Sequence, residues 1–410
     1  MPNFYRGMAC VILVSGAASG LTAHPAAAAV QVLHTFIGYD GSQPVAELSN
    51  VNGTLYGVTS QGGGLQGGTV FSVTPAGLPK ILYTFGAPGD GANPAARLIE
   101  VGGLLYGTTQ NGGTAPCACG TVFSVTLTGH VTILHSFSGG TDGANPVSRL
   151  TELNGTLYGT TASGGAYGGG TMFSLNGGVE TVLYSFGATS TDSRNPLAGL
   201  ENVGGVLYGT ASYGGTGTNC YRGCGTVFSI TPAGAESVLY SFQGYRWGGG
   251  RSTDGAVPAA GVIDVGGTLY GTTSEGGFYN FGTVFSVTTA GTELVLHSFT
   301  GSKHSKSDGQ QPLGALTEFN GDLYGTTKLG GEGFNSAGCP DGCGSVFAIR
   351  PASKENPVDK EIKLLPFNVS DGAEPASGLL AVGSVLYGTT TGGGLSGGSG
   401  GTGTVFSITP

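Results

Sequence analysis

LYGTTQNGGTAPCACGTVFSVTLTGHVTILHSFSGGTDGANP, residues 105–146, is the stretch that decides the fold. It opens on an apolar and aromatic run, breaks at Gly-Gly, resumes as GTVFSVT, breaks at a polar turn, resumes as VTILHSF and ends on Asp-Gly-Ala-Asn-Pro. With AARLIEV just upstream, this makes four short runs rich in β-branched and aromatic residues, each bounded by turn formers. That is the pattern of strands, and no run carries helical periodicity over a useful length.

The same grammar returns along the chain. LYG followed by Gly-Gly begins at Leu55, Leu105, Leu157, Leu207, Leu269, Leu323 and Leu386. A glycine-led strand follows each, GTVFS or a close variant, at Gly68, Gly120, Gly170, Gly225, Gly282, Gly344 and Gly403. A turn of the form DGxxP stands at Asp40, Asp90, Asp142, Asp254, Asp308 and Asp371, and Asp192 heads the variant DSRNP. The first two runs of most units are joined by Asn-Gly or Gly-Gly, a two-residue hairpin signal that suits positive φ. Seven four-stranded units of about 50–63 residues predict an all-β, seven-bladed β-propeller.

The phase of the repeat predicts how the ring closes. VLHTF at 32–36 is a lone fourth strand, and GTVFSITP at the other end is a third strand with no fourth after it. Pairing them would complete blade seven from both ends and leave no open edge. The first thirty residues carry Arg6, an apolar run from Met8 to about Ala18 and a small-residue stretch ending near Ala29. This is the order of a signal peptide. The expected organisation is therefore a signal peptide over 1–29 and one propeller domain over 30–410, secreted to the extracellular or periplasmic space as a monomer.

The strings DGxxPxxxL, LYGTTxxGG and GTVFSxT resemble the GloVer tandem repeat family of secreted bacterial proteins, from about Val30 to Pro410. The resemblance implies repeat architecture and an extracellular location, and brings no catalytic residues with it. The blade phase is similar to that of quinoprotein-type propellers.

Glycine makes up 82 of 410 residues and charged residues only 10%, against about 7% and about 25% in ordinary domains. Disorder is excluded as the reason, because the glycines fall at fixed offsets from bulky apolar residues. The net charge of −9 argues against a nucleic-acid partner, which needs a basic face. No apolar run approaches the about 20 residues of a membrane span.

Function concentrates in the loops that vary on a regular scaffold. Those between second and third strands, or between blades, include ASYGGTGTNCYRGCG from Ala211, SEGGFYNFG from Ser274, KLGGEGFNSAGCPDGCG from Lys328 and the insertion QGYRWGGGRST from Gln243. They bring Tyr213, Tyr221, Tyr245, Trp247 and Tyr279 to one face, where flat rings with polar tips suit stacking on sugars or pack the loop bases instead. A second candidate is the first-strand position held by Glu47, Arg97, Arg149, Gly199, Gly261, Ala315 and Gly378. If it borders the channel, Glu47, Arg97 and Arg149 form a one-sided polar patch that either binds an anion through arginine forks or ties itself up in ion pairs.

Cys117 with Cys119, Cys220 with Cys224, and Cys339 with Cys343 form three close pairs in blades two, four and six. In an exported protein these read first as local disulfides that stiffen loops, since bridges between those blades would exceed the roughly 7 Å Cα limit. Zinc is the runner-up, with a poorly fitting spacing and no histidine close in sequence. The Asp of DGxxP reads as a turn residue, and one carboxylate per blade spreads too widely for calcium. No metal is expected. His34, His135 and His297 alternate with Tyr at one fourth-strand position and read as packing residues. No nucleophile–base pair or paired carboxylates stand out, and the single tryptophan, on a loop, argues against a quinone cofactor. No cofactor is expected. The reading is a non-enzymatic recognition or scaffold protein whose partner is an extracellular polysaccharide or cell-surface component. The alternatives are a polysaccharide lyase or hydrolase using Arg97, Arg149 and a loop tyrosine, and a purely structural matrix protein.

Overall fold

A computed structural model of the chain describes residues 30–245, 254–301, 308–331, 338–351, 360–394 and 401–410, over 360–364 as backbone. The proposed signal peptide, 1–29, lies outside them. The described residues form seven blades of four antiparallel strands around a central channel, and blade two adds a fifth strand, Gly91–Pro94. Two short strand pairs, Ser193–Arg194 with Tyr213–Gly214 and Gly255–Ala256 with Glu275–Gly276, lie beside blades four and five, and a 3-10 turn stands at Gly140–Asp142. Blade three shows the plan: Thr151–Leu153, Thr156–Thr161, Thr171–Asn176 and Val179–Ser185 pair in sequence order from the channel outward.

Blade seven is completed from both chain ends. Gln31–Thr35 pairs antiparallel with Thr404–Ile408, and Phe36 N donates to Gly403 O at 3.0 Å. Each Asn-Gly hairpin takes the expected turn, as at Asn52 (φ 52°) and Gly53 (φ 82°).

The letters of the repeat translate into contacts. The fourth-strand phenylalanine of one blade meets the third-strand phenylalanine of the next edge to face: Phe85 with Phe123, Phe137 with Phe173, Phe242 with Phe285, and Phe36 with Phe71 across the closure. These rings are almost wholly buried, and such pairs contribute about 0.5–1.5 kcal/mol beyond their buried area. The glycine of LYG makes room for them. A Cβ on Gly57 would stand 2.6 Å from Phe71 and 2.8 Å from Leu48, and Gly209 meets the same crowding from Phe228 and Leu200.

The two positions after LYG, both threonine in five of the seven blades, serve different neighbours. The first donates to a carbonyl on the innermost segment of the next blade, as in Thr210 Oγ1 to Ala260 O at 2.8 Å, Thr326 to Ser377 O at 2.8 Å, and Thr389 to Ala46 O at 3.2 Å across the closure. The second pairs with the leading hydroxyl of its own third strand, for example Thr161 with Thr171 at 2.9 Å. The glycine of DGxxP lies over that pair: a Cβ on Gly91 would stand 2.5 Å from the Thr109 side chain.

Candidate binding face and central channel

The innermost segments of all seven blades line a channel cavity of about 450 Å³, and Glu47, Arg97, Arg149, Gly199, Gly261, Ala315 and Gly378 all border it. Arg97 Nη1 lies 2.5 Å from Glu47 Oε1. Arg149 reaches across Gly199, where a Cβ would collide with its Cγ, to place Nη2 2.7 Å from Glu201 Oε2. Burial pushes the Glu47 carboxyl up, and the two arginines oppose that shift. The patch is therefore a quartet drawn from four blades, with both guanidiniums holding carboxylates of this chain. Glu201 was invisible in the sequence because it stands two residues beyond the aligned position and joins only through the length of Arg149.

On the loop face, Tyr221 is 82% exposed, whereas Tyr213 (38%) and Tyr279 (37%) are partly packed. Tyr213 and Tyr221 share the second-to-third-strand loop of blade four. Tyr213 pairs in register with Arg194 of the preceding turn, and Tyr279 sits on the corresponding loop of blade five, against Phe278. Tyr245 is partly buried. Trp247 lies outside the described residues. The guanidinium of Arg222 sits 5.3 Å over the Tyr221 ring, a cation–π contact.

Beside it, the loops of blades three and four enclose a groove of about 780 Å³ lined by Tyr167, Ser190, Thr191, Arg194, Thr216, Thr218, Arg222 and glycines. No acidic side chain among the described residues lines it. Arg194 anchors through Nη2 to the carbonyls of Gly187 (2.6 Å) and Thr189 (3.2 Å), and neither it nor Arg222 makes an ion pair among the described residues. Sequence reasoning missed Tyr167 and Arg194, which come from a different loop and a different turn than the tyrosines it singled out. The signal available was the DSRNP departure itself.

The three cysteine pairs are disulfides, Cys117–Cys119, Cys220–Cys224 and Cys339–Cys343, with Cα separations of 5.1, 5.0 and 5.2 Å. The first two press on the turn that leaves their own blade: Gly139 lies against Cys117 and Cys119, and Gly244 against Cys220 and Cys224. Three disulfides imply an oxidising compartment. No described helix is long and apolar enough to cross a membrane.

The recurring Asp does more than shape a turn. It accepts from turn amides, as in Gly187 N to Asp192 at 2.7 Å, and it holds the Tyr or His of the fourth strand: Tyr184 to Asp192 at 3.1 Å, Tyr240 to Asp254 at 3.0 Å, His34 to Asp40 at 2.9 Å and His297 to Asp308 at 2.9 Å. Ring alternation at that position thus reflects two side chains able to reach one carboxylate. Burial, with the Asp90 carboxylate adding to it, holds the Tyr83 hydroxyl up at about 12.

At three successive junctions a glutamate from the next blade's outer strand comes up to this Asp. Glu180 approaches His135 and Asp142, Glu236 approaches Tyr184 and Asp192, and Glu293 approaches Tyr240 and Asp254. Burial, reinforced by the neighbouring Asp, pushes all three glutamates up to about 7. Glu236 accepts from Ser193 Oγ at 3.0 Å. Sequence analysis overlooked these residues, although Glu three positions before the Leu-Tyr or Leu-His dipeptide recurs in blades three, four and five.

The class that these features define is a closed seven-bladed β-propeller with a disulfide-stiffened loop face. The chain belongs to the Gloeobacter/Verrucomicrobia repeat family, whose pattern matches residues 5–221 and again 216–410. No curated protein matches the sequence. Among solved structures it is similar to the virginiamycin B lyase from Staphylococcus aureus, at 14% identity over 93% of this chain and 99% of that one, with a TM-score of 0.58. It is also similar to a puromycin-hydrolyzing peptidase from Mycobacterium tuberculosis, at 12% identity over 87% of this chain and 52% of that one, with a TM-score of 0.49. At 14% identity the likeness to the lyase is one of fold.

Proposed function

We propose that the protein is a secreted recognition protein that binds an acidic glycan or cell-envelope polymer in the groove between the loops of blades three and four. The observation that carries this reading is the lining of that groove: among the described residues, Tyr167 for stacking, Arg194 and Arg222 without carboxylate partners, and a row of hydroxyls with no acidic side chain. On a chain of net charge −9, this is a local site of opposite sign, and arginine forks suit carboxylate or phosphate groups along a polymer. Oxidising conditions, indicated by the disulfides, fit an exported protein. The enzymatic alternative built on Arg97 and Arg149 has less support, because both arginines are committed to Glu47 and Glu201.

Titration with a panel of neutral and acidic oligosaccharides, followed by calorimetry and by the fluorescence of Trp247, tests the proposal. Binding should be selective for acidic members and weakened by salt. It should fall about tenfold or more in Arg222→Ala and Tyr167→Ala, a loss of one good contact, while Arg97→Ala leaves it unchanged. Binding indifferent to both groove variants, or no binding at all, would overturn it. Turnover of a bound polymer would move the protein to the enzymes.

A further inference from the structure

The junction of blades two and three differs from its two successors in one residue type. Where Tyr184 and Tyr240 present a hydroxyl to the Asp–Glu pair, this junction presents the imidazole of His135. His135, Asp142 and Glu180 each offer one ligand atom, and these atoms lie within 4.8 Å of one another. A hydroxyl can satisfy an Asp and a protonated Glu by hydrogen bonding alone. An imidazole nitrogen and two carboxylates instead make up a donor set suited to zinc and similar divalent transition metals.

Two further observations point the same way. Glu180 Oε1, like Glu293 Oε1 at the junction of blades four and five, is buried and finds no hydrogen-bond partner among the described residues, a costly state for a carboxylate oxygen; only at Glu180 does an imidazole stand beside it. The Asp142 carboxylate is also already oriented from behind, since its Oδ2 accepts from Ser138 N at 2.6 Å and from Ser138 Oγ at 2.9 Å. Support of this kind fixes metal-ligating carboxylates.

We infer that His135, Asp142 and Glu180 form a divalent transition-metal site that clamps the outer strand of blade three to the turn leaving blade two. Ligands of a tetrahedral zinc ion stand about 3.3 Å apart when its bonds are about 2.0–2.1 Å long. His135 Nε2 and Asp142 Oδ1, at 3.2 Å, are already at that spacing. The Glu180 carboxylate has to swing in by roughly 1.5 Å at most to complete the set. Both His135 and Asp142 keep some solvent exposure, which gives an ion access and leaves a fourth position to water. One Asp per blade, the basis for expecting no metal, undercounts this junction because two of its three donors are a histidine and a strand residue from the next blade.

The test uses the untagged, chelator-stripped protein titrated with Zn2+ by calorimetry, with a thermal melt at each end point. Two variants remove one ligand each while retaining the shape of the junction: Glu180→Gln, and His135→Tyr, which installs the ring that blades three and four carry. The parent should bind Zn2+ and melt at a higher temperature with it, and each variant should lose one equivalent of binding and most of the melting shift. Glu236→Gln, at the tyrosine-containing junction, should bind as the parent does. Failure of the parent to bind Zn2+, or equal binding by Glu180→Gln and His135→Tyr when both melt cooperatively, would overturn the assignment.

Discussion

Blade four departs from the other six at two places that touch. In the others, the glycine of DGxxP lies over the threonine two positions after LYG, and that threonine pairs with the hydroxyl heading the third strand, as Gly143 lies over Thr161 and Thr171. In blade four the glycine is Ser193 and the threonine is Ala211. Ser193 Oγ occupies the space and accepts from Thr226 Oγ1 at 2.9 Å, so the hydroxyl pair survives with one member moved to the other strand. The difference teaches that the repeat is a set of contacts and not a string. A letter changes freely when its partner changes with it.

The largest effect expected from breaking that regularity lies at blade seven, where the partner comes from the other end of the chain. Removing residues 30–36 takes away the strand paired with Thr404–Ile408 and the wholly buried Phe36. The loss should reach at least the about 3–5 kcal/mol of a buried phenylalanine, seen as a lower denaturation midpoint and a broadened transition. An unchanged midpoint would mean that the ring does not depend on this closure.

A smaller effect sharpens the comparison at blade four itself, where Ser193 also donates to Glu236. Burial raises the Glu236 carboxyl from its ordinary 4.5 to about 7, so the folded chain holds a proton that the unfolded chain has released. Its contribution is therefore fully present below about 4.5 and is lost as pH rises through about 7. Glu236→Gln should flatten the dependence of melting temperature on pH between 5 and 8, and raise it at pH 8 by something on the order of 1 °C. Parallel pH profiles for parent and variant would contradict this assignment.

The strand pattern, the blade count and the end-to-end closure were legible in the sequence because each is written in short periodic strings: LYG, GTVFS and DGxxP recur at offsets a single blade defines. The cysteine pairs were legible for the same reason, being two or four residues apart. What was hidden depends on contacts between blades. Glu180, Glu236 and Glu293 face an Asp of the preceding blade, about 40 residues upstream, only because the sheets pack that way. Arg149 finds Glu201 across a glycine whose smallness read as absence of function. The groove of Tyr167, Arg194 and Arg222 draws on three separate connections, and no local string joins them.

The contact account is tested most directly by exchanging blade four's two departures for the residues of its neighbours, singly and together. Ala211→Thr alone should crowd Ser193, and Ser193→Gly alone should strip Thr226 and Glu236 of a partner, each lowering stability by about 1–2 kcal/mol. The double variant rebuilds the arrangement of the other six blades and should recover most of the loss, giving an interaction energy of about 1–3 kcal/mol in a double-mutant cycle. Strictly additive losses would contradict the account, because the two positions would then be independent.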